Sequence, residues 1–465
     1  MKVPFHQTRL YEIHSRIFCI ENDCKIDTVP ESFFESFAFR TSNEIWLMGI
    51  WAESEASQGI ARSHQGLRSE FLKAKNPLFD SDILSSPYAI YEYNLNPKIA
   101  TVDSLSSFRQ KIHSLGKQLI LDFVPNHMAI DTPYLDLYPN CFYSGESLNQ
   151  NHFQHKNQIF AHGKDPYFDG WTDTVQWDFS NPETVSLHIK LLLDIAKLCD
   201  GVRCDMAMLA LPDVFLSTHG RLGVPYWEKI ITTVKEHYPN FKFYAEAYWN
   251  REYDLQVLGF DATYDKTLYD RLANENKSPV FDHLLADLSY QNKSIRFIEN
   301  HDEERALTHF GSKSKDFYSL LTFLPGVLLS YFGQELGNQI KLPVQLGKRD
   351  LEIPNQTIVT FYNRVYETLK LRSEPLERYS LEISYFTEGK IIAYLLTSQK
   401  SKEFLLWNPM PHLMDGKVHF PFEIQLPHQI ENIVTGEYFP TQSPEDLKNG
   451  FYFKLEPGTA QWFTF

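Results

Sequence analysis

Four short runs carry the residues able to do chemistry: Asp122-Phe123-Val124-Pro125-Asn126-His127, Gly201-Val202-Arg203-Cys204-Asp205, Ala245-Glu246 and Asn300-His301-Asp302. Each sets a carboxylate at or just beyond the end of a short apolar, strand-like stretch. The two-residue step from Arg203 to Asp205 puts both side chains on one face of a strand. A guanidinium beside an Asp favours the ionised carboxylate, the state a nucleophile needs. Glu246 follows an apolar strand and stands among Tyr244, Tyr248 and Trp249. Such surroundings desolvate a carboxyl group and help it hold its proton. One ionised and one protonated carboxyl are the equipment for breaking a glycosidic bond. Asp302 can act as a third carboxylate on sugar hydroxyls, with His127 and His301 as donors in the same subsite.

Elements must bring these runs together. Short apolar runs recur at Leu10 to His14, Glu44 to Met48, Gln118 to Phe123, Gly201 to Cys204, Lys242 to Ala245, Phe260 to Thr263, Ile295 to Ile298 and Val327 to Tyr331. Helical periodicity fills most of the gaps, as in Val185 to Leu198 and Tyr226 to His237. Eight strands alternating with helices predict an α/β fold of the (β/α)8 barrel type, with its site at the C-terminal strand ends. A doubly wound open sheet is the rival, but no Gly-rich phosphate-binding turn follows any strand. Between the third and fourth strands lie about seventy residues, too many for a structureless loop. They are read as a small inserted domain over 128–181, with the barrel itself at 1–127 and 182–372. Beyond it the pattern turns alternating and β-rich, which predicts an antiparallel β-sandwich domain over 373–465.

Composition narrows the function classes. The 465 residues carry 44 basic and 59 acidic side chains, for a net charge of −15. That argues against a nucleic-acid partner and against an anionic membrane surface. Aromatics make up 15% of the chain; most must fill core, and some can serve as platforms for sugar faces. The five cysteines are odd in number and lack metal-ligand spacing, so they are read as free thiols of a reducing, cytoplasmic compartment. The opening residues lack the apolar stretch of a signal peptide. His301-Asp302 alone would also suit a metal-dependent phosphohydrolase, but further ligands at suitable spacing are not evident. His152 and His155, three apart, are read as part of a polar loop.

Together the four runs resemble the conserved regions of the α-amylase family of retaining glycoside hydrolases. The likeness covers essentially the whole chain, insertion and C-terminal β domain included. The resemblance implies Asp205 as nucleophile, Glu246 as acid/base and Asp302 as stabiliser of the transition state. It implies Arg203, His127 and His301 as partners in the subsite on the non-reducing side of the cleaved bond. Ser86-Pro87-Tyr88 resembles the family run whose Tyr stacks on that sugar, and Trp249 is a candidate for a neighbouring sugar. The substrate implied is an oligosaccharide or α-glucan, handled without a cofactor in the chemistry. The resemblance also implies a structural calcium, with Asn126 at a ligand position and Asp173 as a second candidate. Gly333-Gln334-Glu335 resembles the barrel-closing run and is read as structural. Where many family members follow the nucleophile with a Lys-His pair, this chain has Met208 and Leu209. That departure leaves open a glucanotransferase using the same intermediate. A non-catalytic relative would have lost one of the three carboxylates, and all three are here.

Overall fold

The computed structural model describes residues 2–422, 427–441 and 448–465. Eight parallel strands close into a barrel: Gln7–His14, Glu44–Met48, Gln118–Phe123, Gly201–Cys204, Lys242–Ala245, Ala262–Tyr264, Ser294–Arg296 and Gly326–Tyr331. Each pairs with the next in sequence, and the eighth pairs back onto the first. The second to fifth strands coincide with their apolar runs. The sixth starts two residues later than expected, and the seventh begins one residue earlier and stops sooner. Phe297 and Ile298 are buried just past the end of that strand. Apolarity there records burial, not pairing.

The barrel interior is layered by the period of two. Leu10, Ile120 and Tyr244 belong to an apolar cluster inside the barrel, with Trp46, Tyr264 and Leu329. Two residues further along the first, third and fifth strands the layer turns polar, as Glu12, Asp122 and Glu246. Register sets Arg203 of the fourth strand beside Asp122 on one side and Tyr244 on the other. The mouth of the barrel is therefore ionic above an apolar floor.

Helices pack outside. Pro182–Ile195 starts where the Asn181 side chain accepts the Glu183 amide at 2.9 Å, with Pro182 in the first helical position, an arrangement that suits a helix start. It lays Val185, Leu192 and Ile195 inward. Trp227–His237 packs beside it with Ile230, Ile231 and Val234 buried. Among the described residues no helix is long and apolar enough to cross a membrane.

The segment after the third strand is tied at its root. His127–Ala129 pairs antiparallel with Thr174–Gln176, and a hairpin of His152–His155 with Gln158–Ala161 lies between. His152 and His155, expected in a polar loop, are the two ends of the first strand of this hairpin. In the C-terminal part, a five-stranded sheet faces a three-stranded one across a core that includes Leu395, Phe404, Val418, Phe453 and Phe463. The other face of the larger sheet packs onto the barrel through Leu405, Trp407 and Trp462. Its edge strand is Lys2–Phe5, paired antiparallel with Leu376–Ser380. Residues 2–5 thus lie in the C-terminal sheet, and Pro4, which has no amide to donate, sits on an edge as proline requires.

Candidate active site

Arg203 organises the mouth of the barrel. It is almost fully buried, and its Nη1 donates to Asp205 Oδ1 at 2.7 Å. Its Nη2 lies 2.8 Å from Glu246 Oε2, and Asp122 Oδ1 is 3.8 Å from Nη1. The guanidinium rests among the rings of Tyr88, Trp46 and Tyr264 at 5.2, 5.3 and 5.6 Å. Aromatic faces favour a cation at such distances. One planar fork therefore bridges the two carboxyl groups expected to differ in protonation.

The surroundings raise both of those groups and lower a third carboxyl, Asp302. Burial pushes Glu246 up to about 7; Arg203 opposes this, and Asp205 and Asp302 add to it. Burial also raises Asp205, against the pull of Arg203. The ion pair expected to keep Asp205 at the ordinary carboxylate value is thus not enough, because burial, with Asp302 nearby, outweighs Arg203. Burial works upward on Asp302 too, but the His301 ring, with Arg203 and Lys341, brings it down to about 2. The cleft holds one carboxyl poised to keep a proton and another firmly ionised. A group that must give a proton fails once it has lost it, so kcat/KM is expected to fall as pH rises through about 7. A profile flat to pH 9 would remove Glu246 as the acid.

Backbone geometry places Glu246 as well. Met206, immediately after Asp205, has φ 41, in the left-handed region rare for such a residue. Strain of this kind persists where the surroundings impose it. It aims the Met206 amide at Glu246 Oε2, 2.7 Å away. Tyr248 donates its hydroxyl to the other oxygen at 2.8 Å. Of the three aromatics expected around Glu246, only Tyr248 reaches it. Tyr244 lies one layer deeper and donates to Glu44 at 2.8 Å. Trp249 turns away to meet Tyr167 edge-on at 5.1 Å.

His301 Nε2 lies 3.0 Å from Asp302 Oδ2 and 2.7 Å from the Tyr88 hydroxyl, and the Tyr88 ring stacks on the imidazole. His127 faces Trp171 at 5.1 Å, and burial lowers it to about 4, so it is a neutral donor or acceptor near neutral pH. Gly163 makes this possible: a Cβ there would stand 2.7 Å from His127 Cβ. A cleft of about 360 Å³ is lined by Asp205, Glu246 and Asp302, with Tyr88 and His127. Trp171 and Asp173 complete one wall. Trp249, Asn126, Arg203 and His301 are not among the lining residues; Arg203 and His301, expected to meet the sugar, are buried beneath the carboxylates instead.

The calcium donor set does not fit an ion. The Gln176 amide donates to Asn126 O at 2.9 Å and to Asn126 Oδ1 at 3.0 Å. It also donates to Trp177 O at 3.0 Å. An amide nitrogen thus stands where these oxygens converge. Asp173 instead accepts the Ser57 hydroxyl at 2.7 Å and faces the cleft. Among the described residues no three His, Cys, Asp or Glu side chains gather as a metal site. Chelation with EDTA is expected to leave the unfolding temperature within about 1 °C; loss of a bound stabilising ion would lower it by more.

Sequence reasoning missed Glu12, Trp46, Trp171 and the Met206 amide. Glu12 had a signal, an acid flanked by Tyr11 and Ile13 in the half of the strand read as apolar. Trp171 and the left-handed turn at Met206 had none.

No protein-family model matches the chain. It is 22% identical over 349 residues to α-amylase MalA of Haloarcula japonica, covering 70% of this chain and 49% of that protein. It is 22% identical over 275 residues to cyclomaltodextrin glucanotransferase of a Bacillus species, covering 52% and 36%. The chain spans about half the length, or less, of these two curated relatives. Among solved structures, the maltogenic α-amylase AmyB of Thermotoga neapolitana superposes with a TM-score of 0.67 over 98% of both chains, at 20% identity. The chain has the α-amylase fold. Relatives and structural neighbours of this fold are glycoside hydrolases, with a transferase among them.

Proposed function

We propose that this protein is a retaining α-glycoside hydrolase acting on α-glucans or malto-oligosaccharides. The observation that carries the reading is the single Arg203 guanidinium bridging Asp205 and Glu246 in one cleft, with Asp302 beside them. Asp205 attacks the anomeric carbon while Glu246 gives its proton to the departing oxygen. The product of that step is a covalent glycosyl-enzyme. Glu246, now ionised, takes a proton from water, which displaces Asp205 and restores the enzyme. A separation of about 5–5.5 Å between the two carboxyl groups suits this double displacement. Asp302 and His127 hold sugar hydroxyls, Tyr88 offers its ring, and His301 supports Asp302 from behind with its ring nitrogens on Glu12, Asp302 and Tyr88. The curated relatives named as α-amylases and an α-glucosidase support the substrate class. Five free thiols are in keeping with a reducing compartment.

A second reading, transfer to a sugar hydroxyl, draws on the surface next to Glu246. Met206 and Tyr248 line the cleft there, while Met208 and Leu209 are buried behind. An apolar and aromatic surface suits the face of an acceptor sugar better than water. A product time course on maltoheptaose, with and without an acceptor sugar, tests both readings. Products only shorter than the substrate support hydrolysis. Longer products move the assignment to a transferase. No turnover of any α-glucan overturns the reading.

A further inference from the structure

The strongest unassigned group lies under the cleft. Glu12, on the first barrel strand, is completely buried, and its Oε1 is hydrogen-bonded to His301 Nδ1. Its other oxygen has no hydrogen-bond partner among the described residues. A half-satisfied buried carboxylate is costly, and a barrel interior would be cheaper to fill with an apolar side chain. Its position is nevertheless dictated: Glu12 lies two residues beyond Leu10 and so points into the same interior.

We propose that Glu12 is a positioning residue, which holds His301 as a donor at both ring nitrogens and through it orients Asp302. The argument is one of donor count. A neutral imidazole carries one N–H. Here Nδ1 meets Glu12, and Nε2 meets both Asp302 Oδ2 at 3.0 Å and the Tyr88 hydroxyl at 2.7 Å. A neutral ring would donate to Glu12 and accept from Tyr88, leaving Asp302 without a donor. Only the imidazolium serves both carboxylates. The ring is fixed by stacking on Tyr88, 5.2 Å away, and by the edge of Trp46 at 5.6 Å. Other charges face it: Asp122 from the third strand and Asp205 from the fourth add to its positive character, while His14 from the first opposes it. Arg203 lies across the Tyr88 ring. Burial alone would lower His301, yet Asp302 and Glu12 raise it well above its ordinary value. Held this way, Asp302 has one oxygen anchored and the other left for sugar hydroxyls. Glu12 touches no substrate; it acts through the ring.

The activity half of this inference rests on the glycosidase reading, but the protonation half does not. The test is Glu12→Gln, which keeps the shape and removes the charge. Histidine is labelled with nitrogen-15, and the His301 signals are assigned by their loss in His301→Gln. In the wild type the ring is expected to stay doubly protonated well above the pH at which an ordinary histidine loses its proton. In Glu12→Gln it is expected to lose a proton at least about one pH unit lower. On glucans, kcat/KM of Glu12→Gln should fall about tenfold, and the loss should grow with pH. In a His301→Gln background, Glu12→Gln should add no further pH dependence. Should Glu12→Gln fail to fold, Glu12→Asp and Glu12→Asn with the same titration replace it: the charge retained in Glu12→Asp should keep the ring protonated to higher pH than in Glu12→Asn. Identical His301 titrations with and without the carboxylate overturn the proposal. So does an activity loss equal at every pH. If the titration shifts and no glucan is turned over by the wild type, the functional reading fails and the positioning role stands.

Discussion

Asp205→Asn is expected to lower kcat on malto-oligosaccharides by about 10⁴-fold or more with the fold intact. The amide keeps the size and an acceptor for Arg203, but it cannot form the covalent intermediate. Glu246→Gln should cost about 10²–10⁴-fold on the same substrates. The two variants separate on a glucosyl fluoride, whose leaving group needs no proton. Glu246→Gln should release fluoride in a first turnover at close to the wild-type rate, whereas Asp205→Asn should fail on both substrates. Equal losses for the two variants on the fluoride would dissolve the division of roles. An Asp205→Asn enzyme retaining a tenth of its kcat would move the nucleophile elsewhere.

Arg203 should be the most consequential residue that bonds no sugar atom. Both ends of its fork face a carboxyl group: Nη1 is hydrogen-bonded to Asp205 at 2.7 Å, and Nη2 lies 2.8 Å from Glu246. A Lys ammonium is a point charge and cannot bridge two carboxyl groups in a fixed plane. Arg203→Lys is expected to lower kcat/KM by about 10²–10³-fold, because misplacing the reacting groups by an ångström is that costly. Arg203→Met goes further, leaving buried acids without their cation. Its unfolding free energy should drop by about 3–5 kcal/mol at neutral pH. The deficit should shrink as pH falls and the carboxyls take up protons. Denaturant unfolding at pH 5 and pH 7 checks this; equal deficits at both would mean the carboxyls do not depend on Arg203.

The barrel was legible because its strands are buried on both faces and so read as plain apolar runs. Four of the eight expectations match in both bounds. The sixth and seventh slipped because Phe260, Phe297 and Ile298 are buried outside the ladder. Asp205 and Glu246 were legible because each directly follows a strand, whose direction fixes where the next side chain goes; Asp302 comes later, after the seventh strand has ended at Arg296. What was not legible depends on partners distant in the chain. That Tyr244 serves Glu44 and not Glu246 follows from barrel register. That Gln176 answers Asn126 follows from the pairing of His127–Ala129 with Thr174–Gln176. Glu12 was passed over because a lone acid in a strand reads as ordinary until His301 arrives from the other side of the molecule.

The pairing of Lys2–Phe5 with Leu376–Ser380 has a consequence for how the chain is made. A ribosome releases residues 2–5 before any of the barrel, and their partner strand only after all of it. A strand synthesised before the barrel is therefore seated only after it. Until then both strand edges stay open to the wrong neighbour. It follows that a fragment cut at residue 373 would be missing a strand from the outset, and that supplying residues 2–5 as a peptide should reduce its aggregation.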